Sequence, residues 1–196
     1  MKFKEAIDSV SNWKNIFFLA IILLVIIGLI LPEASQYLKE CINGNRRLDM
    51  AFFYTPEEVY HCLEMYGAKG RQVYIFVLLT LDFIFPVFYT LFFCGIISIL
   101  LKKHSLEKYY WAVYLPLLPF LCDLLENMSI AFMLFQFPLR FTIFIRLTAA
   151  LNVIKWISLG LIIAVIIAGA AVLLFHFLKK AEQKIMANKS AHQADS

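Results

Sequence analysis

Four ionisable residues lie where ionisable residues are costly. Asp82, Asp123, Glu126 and Lys155 all sit inside long apolar stretches, with Asn127, Thr148 and Asn152 beside them. Charged groups within lipid-crossing segments are expensive and mark ion paths, proton relays or ligand sites. On a helix, positions 123, 126 and 127 fall within about 100° of arc, and 148, 152 and 155 within about 60°, so each set forms one stripe. Three acids against one lysine leave an excess of negative charge. A low-dielectric site does not hold such an excess bare, so it calls for a proton or another cation. The spacing therefore predicts a pocket for a cation, a proton, or a small amine or lipid ligand. Two alternatives stand beside it: a membrane-embedded enzyme using Asp/Glu acid–base chemistry on a lipid, and helix-joining ion pairs in a structural or accessory subunit. Lys155 beside Trp156 has a blander reading too, as a side chain snorkelling to the interface. No complete catalytic motif is present, so the catalytic residues are left unassigned.

Those residues need helices to carry them. The 196-residue chain is 62% hydrophobic and 16% charged, with mean hydropathy +0.77. A soluble domain usually carries about a quarter charged residues. Its apolar runs reach bilayer length, and each must satisfy its own backbone polar groups, which makes each a helix. Four blocks stand out, at about 15–31, 72–101, 109–137 and 146–178. The expected architecture is all-α: one four-helix transmembrane bundle over 1–180, with a polar tail over 181–196. The first block reads as a retained span, because the Pro32-Glu33-Ala34-Ser35 stretch after it lacks a small-x-small cleavage pattern. This composition excludes a nucleic-acid binder, a disordered chain and a disulfide-stapled secreted module.

Lys/Arg bias predicts orientation. Lys2, Lys4, Lys14, Lys102, Lys103, Lys108, Lys179, Lys180, Lys184 and Lys189 fall on one side. Lys39, Arg46, Arg47, Lys69, Arg71, Arg140 and Arg146 fall on the other. Trp13, Tyr109, Tyr110 and Trp111 mark an interfacial belt at the lysine-rich side. Both termini are therefore expected in the cytoplasm of a cell-membrane protein, and the net charge of +4 is topology signal plus a lipid-facing basic tail.

Counted inward from Gln72, Phe137 and Arg146, the residues Asp82, Glu126 and Lys155 lie at similar depth, roughly 14–16 Å in. That places the pocket in the outer half of the bundle, opening outward. Pro86 cannot donate to the carbonyl of Asp82, so one position offers both a carboxylate and a freed backbone oxygen. Pro116 and Pro119 loosen the third span before Asp123. Arg71, Tyr74 and Tyr89 are expected at the pocket rim, where Arg71 and Tyr74 would meet an anionic headgroup.

The long first loop should fold. Thr55-Pro56-Glu57-Glu58 is a helix start with a capping box, and Gly67 is its stop, predicting a short amphipathic helix over about 56–66 that roofs the pocket. Val59, Cys62, Leu63 and Tyr66 share one face. Glu57, His61 and Glu64 share the other and form a weak metal candidate against a solvated polar face. Cys41 and Cys62 both lie in this loop, where an oxidising compartment would permit a disulfide. Cys94 and Cys122 read as packing residues. Gly160, Ala164 and Ala168 repeat every four residues and would admit a neighbouring helix, within the chain or in a homo-oligomer. No cofactor is signalled; the partners expected are the bilayer and a lipid or small cationic ligand.

Several pieces, in this order, resemble a widespread group of small uncharacterised four-span integral membrane proteins. They are Tyr54-Thr55-Pro56-Glu57-Glu58, Gly67-Ala68-Lys69-Gly70-Arg71-Gln72-Val73-Tyr74, Leu81-Asp82-Phe83-Ile84-Phe85-Pro86-Val87-Phe88-Tyr89, Asp123-Leu124-Leu125-Glu126-Asn127 and Lys155-Trp156. The resemblance implies the four-span layout and that these positions work together. It implies no activity.

Overall fold

A computed structural model describes residues 5, 7 and 9–194, those at 107 and 180–194 by backbone alone. Lys2 and Lys4 lie outside the described residues, as do the side chains of Lys180, Lys184 and Lys189. Of the expected tail over 181–196, only backbone to Ala194 is described, and it is helical. No strand occurs among the described residues.

Four helical segments are long and apolar enough to cross a membrane: Trp13–Cys41, Gly67–Lys103, Lys108–Gln136 and Thr142–Lys179. They give an all-α bundle, the architecture the apolar blocks demanded. We label its helices α1 (Trp13–Cys41), α2 (Pro56–Met65), α3 (Gly67–Leu79), α4 (Leu81–Lys103), α5 (Leu117–Gln136) and α6 (Thr142–Ala194).

The first helix does not stop at Pro32, as its sequence implies. Asn12 caps its start by accepting from the Asn15 N–H, and a π turn at Ile26–Ile30 carries it through the proline to Cys41. Pro32 removes one backbone donor; the wider turn, in which the Leu31 N–H donates to Ile26 O, absorbs that loss. α1 packs on α4 through Trp13–Val25 and on α3 through Leu31–Cys41. Glycines permit both approaches. A Cβ on Gly95 would lie 2.5 Å from Ile16 Cδ1, and one on Gly70 would lie 2.5 Å from the Cys41 carbonyl oxygen.

The second span is broken rather than continuous. Thr80, at φ −115° and ψ −81°, separates α3 from α4, and its hydroxyl donates to Phe76 O at 2.6 Å, a local bond that competes with the helix ladder. Asp82 therefore falls in the first turn of α4, where helix-terminal N–H groups favour an anion. In the third span Pro116 and Pro119 start a helix instead of loosening one: a 3-10 segment over Glu107–Tyr114 precedes α5, which Pro116 caps.

Two apolar cores lie at opposite ends. The larger joins Leu38, Leu48, Tyr54, Val59, Leu63, Tyr74, Leu78, Ile130 and Ile145 at the first-loop end. A smaller one gathers Cys94, Ile97, Val113 and Ile162 toward the far end. Large apolar side chains such as Phe17, Phe18, Phe135, Ile143 and Phe175 point outward, as a lipid-facing surface requires. Trp13, Tyr109 and Trp111 are also exposed. Gly160, Ala164 and Ala168 are exposed as well, so this stripe meets no other helix among the described residues; Gly169, not Gly160, lies against Leu100.

Candidate functional site

The three spans bring their charges together. Lys155 donates to Glu126 Oε2 at 2.5 Å and to Asp123 Oδ1 at 3.3 Å. It is 6% exposed, which removes the snorkelling reading. Asn127 donates from Nδ2 to the Asp82 carbonyl at 2.9 Å. That carbonyl is the one Pro86 leaves without its helical donor, so the freed oxygen is what fastens α5 to α4. Tyr89 donates to Asp123 Oδ2 at 3.2 Å.

Two charged residues of the first loop complete the cluster, and neither was singled out from sequence. Arg47 is bidentate to Asp49, through Nε to Oδ1 at 3.1 Å and Nη2 to Oδ2 at 2.5 Å. It also reaches Asp82 Oδ2 at 2.6 Å and Ser35 Oγ at 3.1 Å. Burial works against the Arg47 charge, yet the Asp49 and Asp82 carboxylates outweigh it and hold the guanidinium above its ordinary pKa. Tyr74 donates to Asp49 and accepts from the Leu48 N–H at 2.8 Å, fixing the loop on α3. Asn152 donates to Ala51 O and Lys155 Nζ lies 3.4 Å from Asp49 O, fixing the same loop on α6. Burial, then the Glu126 and Asp49 charges, push the nearby Tyr54 phenol up. In sequence, Arg47 and Asp49 stand two apart around Leu48 in a mostly exposed loop, and nothing in that spacing marks them as members of the cluster.

A cavity of about 290 Å³ lies among these groups. Arg47, Asp49, Asp82, Asp123, Asn127 and Lys155 form its polar side, Tyr89 and Trp156 its aromatic side, and Ile27, Leu31, Phe85 and Leu159 its apolar side. Three buried polar atoms in or beside it have no partner: Glu126 Oε1, Asn127 Oδ1 and Trp156 Nε1. Unpaired buried polar atoms cost free energy unless something fills the space.

Several expected placements are corrected. The roof is the loop segment carrying Arg47, Asp49 and Met50, and α2 contributes no lining residue. Tyr74 is fully buried beneath the loop and lines nothing. Arg71 turns away, donating to Leu63 O at 2.9 Å with its guanidinium 4.3 Å from the Phe137 ring centroid. Loop-facing contacts satisfy both, so neither waits for a headgroup. Tyr89 does line the cavity. Glu126 and Asn152 lie behind the wall, both fully buried.

α2 has its capping box, with Thr55 accepting from Glu58 N–H and Glu58 accepting from Thr55 N–H, and Gly67 takes φ +66° just past its end. It buries Val59, Cys62 and Leu63 and leaves Glu57, His61 and Glu64 exposed. No group of three His, Cys, Asp or Glu among the described residues is placed to hold a metal. Cys41 and Cys62 are free thiols, and Cys94 and Cys122 are buried.

Fold and composition together define an all-α, multi-pass membrane protein in contact with the lipid bilayer. Comparison of the chain with family models, with curated proteins and with solved structures finds no match in any of the three.

Proposed function

We propose that the chamber is a binding site for a cation, carried as a proton, a metal-free ammonium group or the head of an amine ligand. One observation carries this reading. Three carboxylates at one cavity (Asp49, Asp82, Asp123) and a fourth just behind its wall (Glu126) are paired with only two cations (Arg47, Lys155), a formal excess of two negative charges. Each acid is within ion-pair distance of a cation, which is what structural glue would give. Glue does not, however, explain a 290 Å³ void bordered by an unpaired acceptor, Asn127 Oδ1, and an unpaired donor, Trp156 Nε1. The Lys/Arg bias supports placing the first-loop end, and with it the chamber, on the extracytoplasmic side, with both termini in the cytoplasm of a cell-membrane protein. Membership of the small four-span group rests on the motif pieces, four of which carry residues of the chamber or its roof support.

Asp82→Asn and Glu126→Gln keep shape and remove charge. Thermal unfolding of the purified protein with propylammonium chloride, against sodium chloride at equal ionic strength, should show stabilisation of the parent by propylammonium. Both variants should fold and lose that response. Parent and variants responding alike would overturn the proposal.

A further inference from the structure

The first span packs on α4 through Trp13–Val25 and on α3 through Leu31–Cys41, with its π turn between the two. Near one end α1 lies against Gly95 through Ile16, and near the other against Gly70 through the Cys41 carbonyl. The π turn at Ile26–Ile30 lies between these contacts, and there α1 and α4 part to leave an apolar slot of about 420 Å³. Ile22, Ile26, Ile30, Leu81, Ile84 and Phe88 wall it, with no charged or hydrogen-bonding side chain among its lining residues. Leu31 and Phe85 line both the slot and the charged chamber. The two spaces are thus neighbours across one pair of side chains. Ile21, Val25 and Ile84 of the slot are themselves exposed on the outer surface, which in a membrane faces lipid.

We propose that slot and chamber together bind one amphiphile, a single alkyl chain with an amine head, which enters sideways from the bilayer between α1 and α4. This deepens the cation reading of the chamber and rests on it. Charge complementarity chooses the head. An anionic head would need a free cation, whereas Arg47 is already held by Asp49 and Asp82, and Lys155 by Asp123 and Glu126. An ammonium supplies the positive charge the cluster lacks and donates to Asn127 Oδ1, an acceptor without a partner. A hydroxyl beside the amine would accept from Trp156 Nε1, the unpartnered donor, so a long-chain amino alcohol fits better than a plain amine. The slot chooses the chain. Two helices bound it, its lining is apolar, and it ends at the doorway formed by Leu31 and Phe85.

The test uses the full chain in phosphatidylcholine nanodiscs with Trp13 and Trp111 replaced by Phe, leaving Trp156 as reporter at the chamber wall. The probes are dodecylamine, propylamine, dodecanol and dodecanoate. Dodecylamine should shift Trp156 emission saturably, propylamine should do so only at ten-fold or higher concentration, and dodecanol and dodecanoate should not compete. Ile26→Phe with Ile84→Phe, which narrows the slot, should weaken dodecylamine at least ten-fold and leave propylamine unchanged. A dodecylamine bearing a diazirine at its chain end, needing no slot variant, should label peptides spanning 21–31 and 81–88. Labelling elsewhere, or dodecylamine no tighter than propylamine, would overturn the slot while leaving the chamber reading intact. Failure of both amines to bind would overturn the chamber reading itself, and dodecanol binding as well as dodecylamine would overturn the choice of head.

Discussion

The second and third spans differ from the first and fourth in how they use their surface. In their most apolar windows, 50% and 44% of residues are buried in the second and third, against 22% and 6% in the first and fourth. The ionisable residues follow that division. Asp82, Asp123 and Glu126 ride on the two interior spans, while the fourth contributes Lys155 only from its first-loop end, where Ile145, Thr148, Ala149 and Asn152 are buried. The first span contributes apolar wall and one hydroxyl, Ser35, but no charge. Charge is placed where neighbours can satisfy it, and the less buried helix supplies mostly apolar surface.

Breaking the charged half should have the largest effect. Lys155→Met leaves Glu126 and Asp123 without their counter-charge, and removing one partner of a buried pair costs about 3–5 kcal/mol. Thermal or denaturant unfolding in detergent checks this, and adding Glu126→Gln should return part of the loss. A fully additive double variant would mean that the pair does not act as a unit.

The two glycine contacts of the first span sharpen the comparison, because their neighbours differ. An added methyl on Gly70 meets backbone at Cys41 at 2.5 Å, whereas one on Gly95 meets the end of the flexible Ile16 side chain first and backbone, Val10 O, only at 3.3 Å. Gly70→Ala should cost about 1–3 kcal/mol by overpacking, and Gly95→Ala clearly less in the same unfolding assay. The reverse order would show that α1 is anchored at the other end.

Thr55→Ala removes the cap of α2 and should cost about 1 kcal/mol. The same cap is pH-dependent. The Thr55 N–H, and behind it Arg46, hold the Glu58 carboxyl below its ordinary value of 4.5. Its contribution is therefore complete above that value and is lost as pH falls through the lower folded one. Hydrogen-exchange protection of the α2 amides, taken relative to the intrinsic rate at each pH, should fall in acid for the parent and not for Glu58→Gln, which reads this out. The smallest effect belongs to the lipid face: Gly160→Ala, with open space around it, should stay within about 0.5 kcal/mol. A larger loss in the purified protein would show that the small-residue stripe packs against a second copy.

Period and cost made much of this legible in sequence. The stripe at 123, 126 and 127 meets the stripe at 148, 152 and 155, because charged residues in apolar helices have few satisfactory directions to face. Pro86 predicted a free carbonyl at Asp82, and Asn127 fills it. Two things stayed hidden, both set by contacts distant along the chain. Arg47 reads as an ordinary loop cation until Tyr74 and Asn152 pull its loop between the helices. Pro32 reads as a terminator, but packing of Leu31–Cys41 on α3 rewards continuing the helix. Tyr74 and Arg71 were misplaced for a related cause: depth along a helix is read from spacing, but the direction a side chain faces depends on a loop whose path spacing does not give.

The central claim is that a first-loop arginine and a second-span aspartate meet at the chamber wall. A double-mutant cycle of Arg47→Gln and Asp82→Asn, read by unfolding free energy in detergent, tests it most directly. Coupling well above about 0.5 kcal/mol, within the roughly 0.5–3 kcal/mol seen for residues in contact, is the predicted result. Effects that simply add would place the loop elsewhere and contradict the account.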